Sequence, residues 1–492
     1  MTLRLCVVST NKFTNAILDE IESASGGEVE VALHNGRKDD DFRASALSSM
    51  RARKGRKGHL FQGQRWTGAA VSLFQQPDFI EQMEEFIDHL HRRSDIGMHG
   101  HKAHPLRTMQ DYADFYHILA DVIAQAMIDR GVTHCVFFNI PHLAYDTIFF
   151  QVAKALGIPV TMVTQSLFPD RYFSLTDAKS LGAFPADPSV APIRVEPAFP
   201  PDPFYMKGVK QGYEEGGTLN GKAIRHLIAF LLLKRPLQAF NPRYVARLVR
   251  HMRQVYGGLP KWRDPFARFF HEDEFAYFDQ LVAFENQEVD LSGDYVYVPL
   301  QLQPEMTTSA LGGRFRDQAL AIERLADLVT EGTRILVKEN PKQRLYMRGP
   351  MFFHRLNRIP NVEFLPSWVD TKALISGAKC VATITGTAGW EAIRVGVPAL
   401  VFGAAWYRGL HGVTEYRDDL TWDEVVGPTI DHAQLEASFG QLMARSHEGV
   451  VNDHYIQIVP DYDDDANRRR VAEEMIGLIK REIPFSFDPA AS

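Results

Sequence analysis

Short apolar runs alternate with amphipathic segments from Tyr295 to Phe402. Tyr295-Val-Tyr-Val-Pro-Leu-Gln301, Ile335-Leu-Val337, Val362-Glu-Phe-Leu365, Cys380-Val-Ala-Thr-Ile384 and Ala399-Leu-Val-Phe402 read as strands. Helical spacing of apolar residues predicts helices from about Arg316 to Thr330, around Thr371 to Gly377, and from the turn Thr385-Gly-Thr-Ala-Gly389 to Gly396. Strands and helices alternating at this spacing imply a parallel sheet, which binds ligands beyond the carboxyl ends of its strands. The polar clusters fall at those ends.

The first part of the chain repeats the pattern less regularly. Arg4 to Ser9 and Val29-Glu-Val-Ala-Leu33 read as strands flanking a helix around Ile17 to Ile21, the start of a Rossmann-like domain. A long amphipathic helix is expected from about Met109 to Arg130, with Tyr112, Phe115, Tyr116, Leu119, Val122 and Ile123 on one side. The strand Val136-Phe-Phe138, a helix from Asp146 to Leu156 and the strand Val160-Thr-Met-Val163 form a further βαβ unit. Its first strand delivers Asn139, His142 and Asp146 to the sheet's mouth.

Ser189 to Pro203 is proline-rich and reads as a loop crossing the surface. Ala223 to Leu233 and Tyr244 to Tyr256 read as basic amphipathic helices, suited either to packing on their own domain or to an anionic membrane or lipid-linked acceptor. A helical stretch, Glu274 to Asn286, precedes the acidic Val289-Asp-Leu-Ser-Gly-Asp294, taken as the domain boundary. Asp419 to Ser446 should be helical, Ala466 to Glu482 forms the last helix, and the tail after Pro484 should fray.

A length of 492 residues exceeds one ordinary core. The expected division is 1–290, 291–460 and a terminal piece, 461–492. A hydrophobic share of 45% and a charged share of 23% suit a folded chain, and a formal net charge of −7 argues against a general nucleic-acid binder. Cys6, Cys135 and Cys380 are scattered in apolar runs and read as buried thiols of a reducing compartment. With no secretory signal and no apolar run near the ~20 residues of a membrane span, a cytoplasmic protein is expected.

Thr385-Gly-Thr-Ala-Gly389 joins a strand to a helix, so its backbone can approach a phosphate while the helix start supplies N–H donors. Glu391, on the first helical turn, would reach a ribose diol at the same mouth, or would merely complement the helix dipole. His99, His101 and His104 lie in an irregular loop with Gly100 and Pro105, which disfavours a metal site. The basic cluster Arg51, Arg53, Lys54, Arg56 and Lys57 reads as solvated surface, with contact to an anionic acceptor as the alternative. Asp461-Tyr-Asp-Asp-Asp465 reads as serving the helix that follows it rather than holding a cation.

Three segments carry a resemblance: Val298-Pro-Leu-Gln301-Leu-Gln-Pro-Glu305, Val337-Lys-Glu-Asn-Pro341, and Gly386-Thr-Ala-Gly-Trp-Glu391 running on to Gly396-Val-Pro398. Their order resembles the second half of GT-B glycosyltransferases, and more narrowly the capsule polysaccharide synthesis family that includes the Kdo transferases of capsule export. Asn139-Ile-Pro-His-Leu-Ala-Tyr-Asp146 is similar to a first-domain loop of related surface-carbohydrate proteins. Two departures stand out: Gln301-x-x-x-Glu305 where the family has Gln-x-x-x-Asp, and Asn340-Pro341 where it has His-Pro. The carboxylate chemistry survives the first. The second leaves donor identity open, since an asparagine amide can donate hydrogen bonds to phosphate but carries no charge.

The resemblance implies a GT-B-like α/β fold, two Rossmann-like domains facing across a cleft, with a C-terminal helix crossing back to the first. It implies that Glu305 is a nucleophile or charge stabiliser, that Gln301 orients it or the sugar, and that Lys338 and Asn340 bind phosphate. Gly386, Thr387, Gly389 and Glu391 would hold the nucleotide, and Tyr407 and His411 the donor sugar. His142 or Asp146 would position an acceptor hydroxyl or act as base, the alternative being local hydrogen bonding and helix capping. No metal and no cofactor are expected beyond a CMP- or UDP-linked sugar donor. The expected partners are that donor and a glycan or lipid-linked acceptor, with peripheral contact to the inner membrane or an export assembly as a further option. A nucleotide-sugar epimerase and a non-catalytic scaffold subunit of an export assembly are the alternatives.

Overall fold

The computed structural model describes residues 2–9, 12–35, 108–142, 145–206, 289–303, 305–340, 350–365 and 369–488, with isolated positions within 42–87 and 225–247. The basic cluster at 51–57, the histidines at 99–104 and the stretch 274–286 lie outside the described residues, as does much of the two basic helices.

In the first sheet, β1 (Leu3–Val8), β2 (Val29–Asn35), β3 (His134–Phe137) and β4 (Val160–Gln165) are parallel. β5 (Arg171–Leu175) returns antiparallel to β4. A two-residue strand from far along the chain, His447–Glu448, pairs with its outer edge. The expected elements are present here, while β5 and its late partner were not anticipated. Helix α1 (Lys12–Ala24) follows β1, α2 (Met109–Asp129) precedes β3, and α3 (Asp146–Ala155) joins β3 to β4. The start of α2 is capped reciprocally by Thr108 and Asp111.

The second sheet is wholly parallel, in the order β11-β10-β9-β6-β7-β8. Its strands are β6 (Tyr295–Pro299), β7 (Arg334–Lys338), β8 (Val362–Leu365), β9 (Cys380–Thr383), β10 (Ala399–Val401) and β11 (Val413–Glu415). The chain winds one way from β6 to β8 and then resumes at β9 on β6's other side. That reversal makes the carboxyl ends of β6 and β9 the topological switch point, where parallel sheets open a crevice. Helices α4 (Gln318–Leu328), α5 (Pro350–Leu356), α6 (Thr371–Gly377) and α7 (Ala388–Arg394) connect the strands, and α8 (Trp422–Val426) and α9 (His432–Ala444) follow them.

The last helix, α10 (Asp464–Ile479), packs against α1 on the first sheet, so the crossing helix is present. It buries Val471, Met475, Leu478 and Ile479 beside Ile17, Leu18 and Ile21. Each such side chain contributes roughly 1.5–3 kcal/mol on burial. Of the acidic run, Asp463 caps this helix by accepting from the Asp465 and Ala466 N–H groups, so the dipole reading holds for it.

One continuous apolar cluster joins the two sheets. Phe168, from the β4–β5 connection, meets Trp406 at 5.4 Å and Phe439 of α9 at 5.2 Å, while Trp390 of α7 stacks on Phe439 at 5.3 Å. Gly182 has φ of 77°, and a Cβ there would run into the Ala405 carbonyl. The proline-rich stretch crosses the surface as expected and is fastened to α9 by Ile193 N–H donating to Glu436 O at 3.1 Å. All three cysteines are buried and free, with burial pushing the Cys380 thiol up to about 12.

The tail corrects its expectation. Phe485, Ser486 and Phe487 are buried, and Ser486 and Ser174 exchange backbone-to-hydroxyl hydrogen bonds at 2.9 and 3.0 Å. Phe487 packs on Phe173, which offsets the entropy that would otherwise fray a terminus. Beside it, Ser174 Oγ lies 2.6 Å from His447 Nε2, His447 Nδ1 lies 3.5 Å from Glu474, and Tyr172 donates to Glu474 at 2.8 Å. The chain of serine, histidine and carboxylate resembles a hydrolase triad. Ser174 is sealed from solvent, however, so the network is structural.

Burial lowers His447 to about 4. Between the unfolded value near 6.5 and that figure, only the unfolded chain takes up the proton, so stability is present above pH ~6.5 and falls as pH drops toward 4. Urea denaturation across this range should show that decline, and a His447→Gln variant should show a shallower one. An unchanged slope in the variant would assign the decline to other groups.

Candidate functional site

The switch point of the second sheet is filled by Gln301, just beyond β6. Its carboxamide oxygen faces the turn after β9 and accepts from the N–H groups of Ile384 at 3.1 Å, Thr385 at 2.9 Å and Gly386 at 2.7 Å. The Thr383 hydroxyl lies at 2.5 Å from the same oxygen. The opposite orientation would set the amide nitrogen against those donors, which fixes the choice. Three successive N–H groups converging on one oxygen form a nest of the kind that binds anions. Here a neutral amide oxygen occupies it.

Gln301 is itself clamped: its N–H donates to Gln318 Oε1 at 2.8 Å, and Gln318 Nε2 donates to its carbonyl at 3.0 Å. Gly386 is required by this closeness, since a Cβ would lie 2.8 Å from the end of the Gln301 carboxamide that faces the turn and 2.9 Å from Thr383 Oγ1. The turn is braced from behind by Tyr407, whose hydroxyl donates to the Gly386 carbonyl and whose ring leaves no room for a Cβ at Gly389. Burial pushes the Tyr407 phenol far up, so it stays a neutral donor.

Glu305 opens a π-helical turn, Met306–Ala310, that lies over the same turn. The Thr385 hydroxyl donates to Thr307 O at 2.7 Å and the Thr308 hydroxyl to Leu302 O at 3.0 Å, tying Glu305's segment to the strand ends on both sides. Glu305 remains partly exposed. Asn340, beyond β7, is also partly exposed, and its N–H donates to the Glu339 carboxylate at 2.8 Å.

Lys338 ends β7 and is 3% exposed. Its ammonium donates to Val369 O at 2.6 Å and to Thr371 Oγ1 at 2.8 Å, so it holds the start of α6 rather than reaching outward. Burial lowers it to about 8, partly offset by Asp370, which leaves most of it charged at neutral pH.

Glu391 sits on α7 next to the partly exposed Thr387. Its carboxyl is pushed up to about 7, first by burial and then by Asp202, against the opposing Thr387 hydroxyl and the Lys372 and Arg394 cations. Asp202, 3.7 Å from Lys372, comes from the end of the proline-rich loop, and Tyr205, which hydrogen-bonds Thr387, from the turn just past it. The sequence reading missed both; the only signal was the end of a proline-rich segment, which does not say where the chain lands.

Four expected contacts are relocated. The N–H groups of Ile384, Thr385 and Gly386 are taken by Gln301, so the first part of the phosphate cradle expected at Thr385–Gly389 is already occupied. Lys338 is turned inward, and Tyr407 is enclosed behind the turn. His411 accepts from the Asp431 N–H through Nε2 at 3.0 Å, which commits it to the start of α9. In the first sheet, His142 Nδ1 lies 2.8 Å from Ile140 O, a local bond, and Asp146 begins α3. Among the described residues no cluster of three or more His, Cys, Asp or Glu is placed to hold a metal ion.

Glu305, Asn340, Thr387 and Glu391 are thus partly exposed polar residues at or just beyond the carboxyl ends of the strands, with Tyr205 beside Thr387. Such a set can hydrogen-bond a diol and place a carboxylate near an electrophilic carbon.

Two outcomes test this geometry. A Glu391→Gln variant should be more stable than the parent at pH 8, by ~1–3 kcal/mol from the raised carboxyl. A raised value means stability is full below pH ~4.5 and lost through pH ~7, so the advantage should vanish near pH 4 in denaturant titrations. Gly389→Ala should cost ~1–3 kcal/mol by overpacking against Tyr407, measured the same way.

Residues 274–446 match the family described as "Capsule polysaccharide biosynthesis protein", a span that holds the whole second sheet and the mouth residues just named. No curated protein matches the chain. Among solved structures, Thermosulfurimonas dismutans KpsC, a beta Kdo 2,7 transferase, is similar at 12% identity over 77% of this chain and 91% of its own, with a TM-score of 0.31. The beta Kdo 2,4 transferase of the same organism's KpsC is similar at 12% over 63% and 79%, TM-score 0.27. Methanocaldococcus jannaschii UDP-GlcNAc 2-epimerase, in complex with UDP-GlcNAc and UDP, is similar at 9% over 98% and 100%, TM-score 0.23.

Proposed function

We propose that this protein is a glycosyltransferase that uses a nucleotide-activated sugar in the assembly of capsular or other bacterial surface polysaccharide. The observation that carries the reading is the placement of two carboxylates, Glu305 beyond β6 and Glu391 on the helix after β9, at the carboxyl end of a parallel sheet, within the span that matches the capsule-synthesis pattern. One carboxylate suits the reacting sugar and the other the nucleotide.

In this reading Glu391 accepts from the ribose hydroxyls, and the Asn340 amide and the outer face of the Gly386–Gly389 turn meet the phosphate. Lys338, enclosed but charged, supplies a positive background beneath the departing nucleotide without touching it. Glu305 faces the anomeric carbon as nucleophile, or stabilises positive charge developing there. Gln301 acts at one remove, by fixing the turn on which the nucleotide rests. His142 and Asp146 mark the acceptor side on the first sheet.

The ribose contact depends on an ionised Glu391, so nucleotide affinity should rise as pH passes through about 7, and Glu391→Gln should flatten that rise. Calorimetric titration of the whole protein with CMP, CDP, UDP and GDP measures this. Selective binding of one nucleotide, weakened by Glu391→Ala, is the expected result; a folded protein that binds none of the four would sink the proposal. With the preferred donor, Glu305→Gln should lower transfer at least ~10²-fold. Nucleotide affinity should stay within about twofold, because the substitution leaves the binding contacts in place.

A further inference from the structure

We infer that the segment 225–247 is a docking surface for an anionic lipid bilayer. Two independent features lead there. Five of the large apolar side chains most exposed among the described residues lie in this one stretch: Ile228, Leu232, Leu233, Leu237 and Phe240. Leu233 is 77% exposed, Leu237 89% and Phe240 86%. Scattered apolar side chains on a surface need no explanation, but a run of them does.

The second feature is charge. Overall the chain has 61 acidic residues to 54 basic ones, an acid about every eight residues. From 216 to 263 it has none, while Lys222, Arg225, Lys234, Arg235, Arg243, Arg247, Arg250, Arg253, Lys261 and Arg263 make ten cations. A neutral protein partner would need the apolar residues but not this exclusion of carboxylates. A bilayer with anionic headgroups needs both, since apolar side chains enter the acyl boundary while the cations meet the lipid phosphates.

Among the described residues no helix is long and apolar enough to cross a membrane, and the inference is of a position on its surface. The placement is also apt. The chain leaves the second unit at Phe204–Met206, where Tyr205 bonds Thr387, and returns at Val289, which with Phe199 packs on that unit's core. The described residues that flank the segment in sequence thus lie beside the candidate donor site.

The test is co-sedimentation of the full chain with vesicles of phosphatidylcholine alone, and of phosphatidylcholine with phosphatidylglycerol. We expect binding to the second and little to the first, falling when salt is raised so that screening shortens the reach of the cations. Leu237→Glu combined with Phe240→Glu should weaken the partition at least roughly tenfold, and Arg243→Glu with Arg247→Glu should do the same. Both variants should keep the parent's circular dichroism and nucleotide titration, which separates this inference from the transferase reading. Absence of binding to anionic vesicles, equal binding to both compositions, or unchanged binding by the variants would overturn it. So would a vesicle-free dimer that the Leu237 and Phe240 changes dissolve while vesicles go unbound, which would make the surface a self-association face.

Discussion

The carboxamide oxygen of Gln301 sits where the second sheet divides, and it accepts from three consecutive backbone donors of the turn after β9. Left unpaired in a buried turn, those donors would each cost free energy comparable to a lost hydrogen bond. The amide's two ends do different work: its main chain is clamped by Gln318, and its side chain gathers the turn. The positions of Gly386, Thr387 and Glu391 follow from it, because each is measured from that turn. Tyr407 closes the arrangement from the other side.

A second constraint joins the sheets. Phe168, Trp390, Trp406 and Phe439 form an aromatic contact between the first unit's β4–β5 connection and the second unit's helices. The motif that presents Glu391 to the mouth also presents Trp390 to this contact, one residue earlier on α7. Any hinge motion between the units would have to move through close-packed rings, so the contact sets the relation of the first sheet to the second. Strand His447–Glu448, helix α10 and the buried tail add three further crossings, all on the first sheet.

The candidate site divides into groups that face outward and groups that support them. Lys338, Gln301 and Tyr407 belong to the support, each held by hydrogen bonds within the fold. Glu305, Asn340, Thr387 and Glu391 remain partly exposed. Burial gives Glu391 a carboxyl that titrates near neutrality, and burial also lowers Lys338 to about 8 while leaving most of it charged at neutral pH. Both effects come from placing polar groups at the rim of a parallel sheet whose strands are apolar on both faces.

The crossing of the last helix was implied by the family resemblance. By itself the sequence determined the alternation of strands and helices, the parallel second sheet and the position of Glu305, Lys338, Asn340 and the Gly386 turn at or near strand ends. These are local facts: apolar periodicity and glycine position act within a few residues, so they survive in one dimension. Which way a polar side chain turns is not local. Lys338 faces Val369 and Thr371, Gln301 faces a turn more than eighty positions away, and His411 faces Asp431. Only the tertiary structure decided those, because each depends on which loop the sheet order brings alongside. The same holds for Tyr205 and Asp202 at the mouth, and for the tail, where burial against Phe173 and Ser174 overrides the looseness expected of a terminus.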